Sequence, residues 1–142
     1  MYATLSPMSQ RSAFSASGAY RSIGVETGVS TASPHKLVAM LFDGLQESLA
    51  QARGALRDGQ IEAKGRAIGK AVRIIEEGLK GGLNLNAGGN LAQDLQALYA
   101  YITMRLTHAN LKNDDAAIAE CQRLIEPIAS AWAAIEPVRQ AA

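Results

Sequence analysis

From Leu37 onward, apolar residues recur every three or four positions, in four separate blocks. The first block runs Leu37, Leu41, Leu45, Ser48, Ala52, Leu56 and predicts a helix from about Pro34 to Arg57. Ser33 is a natural N-cap, and Pro34 falls at the first helical position, where its missing N–H costs nothing. Asp58-Gly59 ends this helix, with Gly59 suited to a left-handed cap. The second block, Ile61, Gly65, Ile68, Val72, Ile75 and Leu79, predicts a helix from about Gln60 to Leu83. Gly65, Gly69 and Gly78 on or beside this stripe mark either close helix contacts or a weaker helix.

Gly81-Gly82 and Asn86-Ala87-Gly88-Gly89 bracket a loop. Asn90 reads as the next N-cap, with Gln93 completing a capping-box pattern. The third stripe is Leu91, Leu95, Leu98, Ile102, Leu106 and Ala109, followed by a turn over Asn110 to Asp114. The fourth stripe is Ile118, Cys121, Ile125, Ile128, Trp132 and Ile135. Pro127 lies inside it, where it removes the bond to the Arg123 carbonyl and is expected to bend the helix. Helices of about 20–24 residues joined by short links make an all-α, antiparallel four-helix bundle.

Before Ser33 no period holds. Residues 1–32 are rich in Ser, Ala and Gly, with scattered apolar residues such as Phe14, Tyr20 and Ile23, and read as a flexible N-terminal arm. Residues 33–138 then form the bundle domain.

Composition agrees with helices: 48% of residues are hydrophobic but only 5% aromatic, so Ala, Leu and Ile must fill the core. A net charge of +1, from 14 basic and 13 acidic residues, gives no footprint for nucleic acid or an anionic membrane. No apolar run reaches the ~18 residues of a membrane span. The N-terminus shows no basic stretch followed by an apolar block, so no secretory signal is expected. The lone Cys121 fits a reducing cytosol.

Candidate chemistry is sparse. A di-iron bundle needs Glu-x-x-His pairs, but Ala32 precedes His35 and Arg105 precedes His108 at that spacing. One Cys and two His do not make a zinc site. No glycine pattern matches a phosphate loop. A Cys121–His108 nucleophile is conceivable, but Cys121 sits on the apolar stripe, where a small buried thiol is the simpler reading. No enzyme activity and no cofactor are expected.

Apolar residues off the stripes are more informative: Met40 and Phe42 in the first helix, Ile74 in the second, Tyr101 and Met104 in the third, Leu124 in the fourth. They either line the shoulders of a wide apolar face or, as a set, widen the grooves into a docking site for a partner helix. Trp132 keeps the core phase, and His35 and Lys36 are expected to face solvent.

A series of short motifs runs along the chain, beginning with Ala19-Tyr20, Val25-Glu26, Ala32-Ser33-Pro34-His35-Lys36-Leu37 and Met40-Leu41-Phe42-Asp43-Gly44. They continue through Lys64-Gly65, Lys70-Ala71, Ile74-Ile75 and Gly78-Leu79. Helices three and four add Asn90-Leu91, Leu98-Tyr99-Ala100-Tyr101, Arg105-Leu106, Ala109-Asn110, Asp114, Leu124-Ile125 and Ala131-Trp132. In the order and spacing of these pieces, the chain resembles the flagellar secretion chaperone family, FliS.

The resemblance implies a cytosolic chaperone that binds the disordered C-terminal segment of flagellin, prevents early polymerisation and assists delivery to an export-gate component. It implies a client that folds partly into helices along the grooves. It also implies an arm that covers part of the same surface when flagellin is absent, with Tyr20 inserted. Tyr20, Met40, Phe42, Ile74, Tyr101, Met104 and Leu124 are the candidate partner-binding residues. The small residues Ser17, Gly18 and Ala19, and Pro127, depart from the family pattern. A helix-binding adaptor for another partner stays open as the alternative, as does the choice between monomer and homodimer.

Overall fold

The computed structural model describes residues 32–83 and 85–135. The expected arm, Tyr20 included, lies outside these residues but for Ala32, as does the bundle end beyond Ile135. The described residues form four helices and no strand: α1 Pro34–Arg57, α2 Ile61–Arg73 continuing as a π-helical turn Ile74–Leu79, α3 Leu85–Lys112, and α4 Asp115–Ala134.

Helix α1 has the limits its caps predict. Ser33 is extended, and its hydroxyl accepts from the Lys36 amide at 3.1 Å. Pro34 occupies the first turn. At the far end Gly59 takes φ 74°, where a side chain would be strained. Asp114 caps α4 in the same way, accepting from the Ala117 amide at 3.2 Å. Helix α4 runs through Pro127 to Ala134. Pro127 has no N–H to donate, which leaves the exposed Arg123 carbonyl to water.

Each helix packs on its two sequence neighbours, and α4 closes the ring against α1. The directions follow from the cross-helix bonds. His35 at the start of α1 meets Trp132 at the end of α4, while Arg53 near the end of α1 bonds Asp115 at the start of α4. Lys64 early in α2 reaches Asn110 late in α3, and Glu76 later in α2 meets Thr103. Neighbours therefore run antiparallel. The core is built on Leu41, Leu45 and Leu49 of α1, Ile75 of α2, Ile102 and Leu106 of α3, and Ile118 and Ile125 of α4.

Helix α2 departs most from expectation. Its buried face is Lys64, Ala67, Ile68, Ala71, Ile74, Ile75, Gly78 and Leu79, whereas Ile61, expected on the core stripe, is 50% exposed. Ile68, Ile75 and Leu79 lie on that face as expected, but at the start of the helix Ala67 and the stem of Lys64 take the place of Ile61, and alanine gives a weak hydropathy signal. Beyond Arg73 the helix widens, closing with a Lys80 amide to Ile75 carbonyl bond of 2.7 Å, the i→i+5 pattern of a π turn. The three α2 glycines divide. A Cβ on Gly78 would sit 3.0 Å from two Leu41 carbons, so this is a close helix contact. A Cβ on Gly69 would meet nothing within 4 Å, and one on Gly65 only Asn110, at 3.8 Å.

Helical structure in α3 begins at Leu85, but it is broken at Gly89, whose φ 58°, ψ −136° is not helical, so the main run starts beside the expected Asn90. His35, expected in solvent, is buried, because its ring stacks on Trp132 with centroids 5.1 Å apart and planes 14° apart. Its Nε2–H donates to the Trp132 carbonyl at 2.8 Å, and the Trp132 indole N–H donates back to the His35 carbonyl at 3.0 Å. Lys64 was not expected in the core either. Its stem is buried and its ammonium donates to the Asn110 carbonyl at 2.8 Å, near the C-terminal end of α3, where carbonyls lack helical donors.

Two outcomes test this picture. Asp114→Ala removes the cap of α4 and is expected to cost about 1 kcal/mol in urea unfolding, with the slope unchanged. Burial also raises Tyr99 from its ordinary 10.0 to about 12, and Cys121 from 9.0 to about 12. The unfolded chain loses these protons first, so their contribution is complete below the unfolded values and is lost as pH rises toward 12. Stability measured by urea unfolding should fall with pH from 9.0 upward. Cys121→Ala should flatten the first part of that fall.

Candidate functional site

Helix α3 carries apolar residues inward and outward at once. Tyr99, Ile102, Leu106 and Ala109 are buried, and they define its core face. Leu91, Met104 and Leu111 stand 69%, 56% and 77% exposed, and Tyr101 is 38% exposed. Tyr101 and Met104 lie three apart, one turn of the same helix: Tyr101 reaches α4 through Glu120, and Met104 points outward, opposite the core face. Across the seam, Leu124 and Ile128 of α4 are partly buried against the core, and Ile135, just past the helix end, is exposed.

The expected partner-binding residues do not form one cluster. Tyr101 and Leu124 lie on the α3–α4 side, and Met104 lies on the outer face of α3 next to Tyr101. Ile74 faces α1: its Cδ1 lies 3.4 Å from where a Cβ on Gly44 would stand. Met40, one turn before Gly44, is half-buried on that α1–α2 side. Phe42 and Ile74 are buried members of the core in this structure. Tyr20 lies outside the described residues. Leu91 was read as core. It keeps the phase of Ile102 and Ala109 but lies two residues beyond the Gly89 break, at the end of the packed face, and stands exposed.

Polar contacts hold the seam. Arg105 Nε–H donates to Glu120 Oε1 at 2.8 Å, and the Tyr101 hydroxyl donates to Glu120 Oε2. The bond from Tyr101 foremost, and that from Arg105 next, holds the Glu120 carboxyl below its ordinary range. The same bond raises the Tyr101 phenol. On the α1–α4 side, Arg53 forks onto both Asp115 oxygens at 2.8 and 2.9 Å and reaches Gln122 at 2.8 Å. That hydrogen bond holds the Asp115 carboxyl below its ordinary range.

The candidate nucleophile pair is not assembled. Cys121 is buried with its Sγ toward the Ile102 carbonyl at 3.9 Å, whereas His108 Nε2 lies 3.3 Å from Asp114. Burial pushes the thiol up to about 12, away from a thiolate. Among the described residues, no group of three or more His, Cys, Asp or Glu is placed to hold a metal ion. No described helix is long and apolar enough to cross a membrane. What the arrangement offers is contact area for apolar side chains, divided between two sides of the bundle.

Comparison with known proteins agrees on one family. The family model for flagellar protein FliS matches residues 16–139. The chain is similar to the flagellar secretion chaperone FliS of Salmonella typhimurium, 48% identical over 126 residues, covering 87% of this chain and 93% of that protein. It is also similar to the FliS of Escherichia coli, at 44% over 114 residues, covering 80% and 84%. The likeness extends to the FliS of Bacillus subtilis, at 34% over 109 residues, covering 75% and 78%. A bundle with two-faced apolar helices and a match over nearly its whole length lead to one assignment: this chain belongs to the FliS family.

Proposed function

We propose that this chain is a non-enzymatic export chaperone of the bacterial cytosol. Its client is the disordered C-terminal segment of flagellin, which it keeps from polymerising early and helps deliver to the flagellar export gate. The observation that carries the reading is the outward apolar face of α3, with Met104 and Leu111 both more than half exposed and Tyr101 beside them on a bundle whose core is already filled. An exposed apolar surface of this kind fits an amphipathic partner helix. Membership of a family whose relatives are named flagellar secretion chaperones supports the export role.

The energetics suit a long open surface better than a pocket. A disordered client loses chain entropy on folding, about 2–5 kcal/mol or more, and must bury much apolar area to offset it. Residues 1–32, the proposed arm, would cover part of that surface in the absence of client. Apparent affinity would then fall by the fraction of molecules left open.

Titration with a flagellin C-terminal peptide is expected to give a one-to-one complex, with helicity rising in circular dichroism. Neither heat nor a helical signal on mixing would overturn the reading. Met104→Ala should leave stability within about 0.5 kcal/mol and weaken the complex by about 1–2 kcal/mol, read by calorimetry. Deleting residues 1–24 should tighten the complex; unchanged affinity would reject the covering arm alone.

A further inference from the structure

The α3–α4 seam holds one polar cluster among its apolar side chains. Tyr101 and Arg105 are one turn apart on α3, so both reach across to the same carboxylate on α4. Each Glu120 oxygen has its own donor: Oε2 takes the Tyr101 hydroxyl, and Oε1 takes Arg105 at 2.8 Å. Neither charged partner is fully in water; the Arg105 and Glu120 side chains are 25% and 30% exposed. Glu120 directly precedes the buried Cys121 and stands one turn before Leu124, so its backbone is fixed by the core. The carboxylate is thereby a rigid anchor for two side chains that would otherwise be free to choose among staggered rotamers.

The two restrained side chains are the ones that border the apolar surface. The Tyr101 ring is exposed beside Met104, and its hydroxyl is the only polar atom of the side chain. With that atom satisfied by Glu120, the ring is held as an apolar wall. Arg105 beside it is matched by an opposite charge, so an apolar group can pack there without stripping an unpaired cation of water.

We infer that Glu120 is a positioning residue for client binding: it fixes the Tyr101 ring and pairs Arg105, so that the seam receives an apolar helix on a preformed surface. The inference rests on the chaperone reading above. Its physical content is preorganisation. A ring already immobile loses less freedom on binding, and the complex gains the difference.

The test is calorimetric titration of full-length protein with the flagellin C-terminal peptide, comparing wild type with Glu120→Ala, Glu120→Gln, Tyr101→Phe and the double variant Tyr101→Phe/Glu120→Ala. Glu120→Ala is expected to weaken binding about tenfold through the lost coupling. Tyr101→Phe should weaken it in the same direction, and the double variant should be no weaker than Glu120→Ala. Glu120→Gln keeps an acceptor oxygen for the Tyr101 hydroxyl but neither the second acceptor nor the charge that pairs Arg105, and should recover only part of the loss. In Glu120→Ala the alkaline absorbance titration of Tyr101 should move down toward the ordinary phenol range. Wild-type affinity in Glu120→Ala, or losses from Tyr101→Phe and Glu120→Ala that multiply in the double variant, would overturn the positioning role and leave the chaperone reading standing. A wild-type protein that does not bind the peptide would overturn both.

Discussion

Close approach of helices through small side chains is the constraint on which the rest of this structure depends. With aromatic residues at 5% of the chain, the interior cannot be filled by large rings. It is filled by leucine and isoleucine set among Ala52, Ala67, Ala71, Ala109 and Ala117, all buried. Gly78 goes furthest, letting the Leu41 side chain come to where a Cβ would stand only 3.0 Å away. Interiors are packed to crystal-like density, so a core of small residues draws the helix axes together and leaves little room for extra bulk. Large apolar side chains remain exposed on α3 at Leu91, Tyr101, Met104 and Leu111, and elsewhere at Ile61 and Ile135.

The ring of helices is closed by polar contacts whose value is geometric more than energetic. Arg53 with Asp115 and Gln122 fixes one end of the α1–α4 pair, and the reciprocal His35–Trp132 contact fixes the other. Exposed ion pairs contribute little to stability, commonly 0–1 kcal/mol. Two contacts placed near opposite ends of a helix pair nevertheless select one register among several that the apolar stripes alone would allow. The His35–Trp132 contact also sets where the chain enters and leaves the bundle, since one residue lies in the first turn of α1 and the other in the last turn of α4.

How much of this was legible in the sequence depended on which residues carried the signal. Helix α1 could be read to its first and last residue, because Ser33-Pro34 and Asp58-Gly59 are specific caps and large leucines mark its face. Helix α2 was read out of phase at its start, because Ala67, Ala71 and the stem of Lys64 form the real core face while Ile61 looked the stronger candidate. The π turn at Ile74–Leu79 left no mark, since any apolar pair can sit on either side of a widened turn. Of the candidate surface, Tyr101 and Met104 stood out as apolar residues off the stripe and are exposed. Phe42 and Ile74 stood out for the same reason and are buried, because α1 and α2 present a broad face to the core. His35 and Glu120 were opaque: the partners that fix them, Trp132 and the Tyr101–Arg105 pair, lie on other helices.

The surplus apolar face raises a problem that the charge pattern helps to answer. An exposed stripe of large apolar residues favours indiscriminate association, and a row of unpaired charges along it would repel an apolar client helix. The α3–α4 seam avoids both extremes. Arg105 there is paired with Glu120, and the one polar atom of the Tyr101 side chain is turned to the same carboxylate. Solubility is then supplied by charges elsewhere, in a chain whose 14 basic and 13 acidic residues nearly cancel. A helix laid on such a seam gains area without stripping lone charges of water. One bearing a buried charge of its own would find no free partner in Glu120. Under the chaperone reading proposed above, selectivity at this place is a consequence of pairing already completed within the bundle.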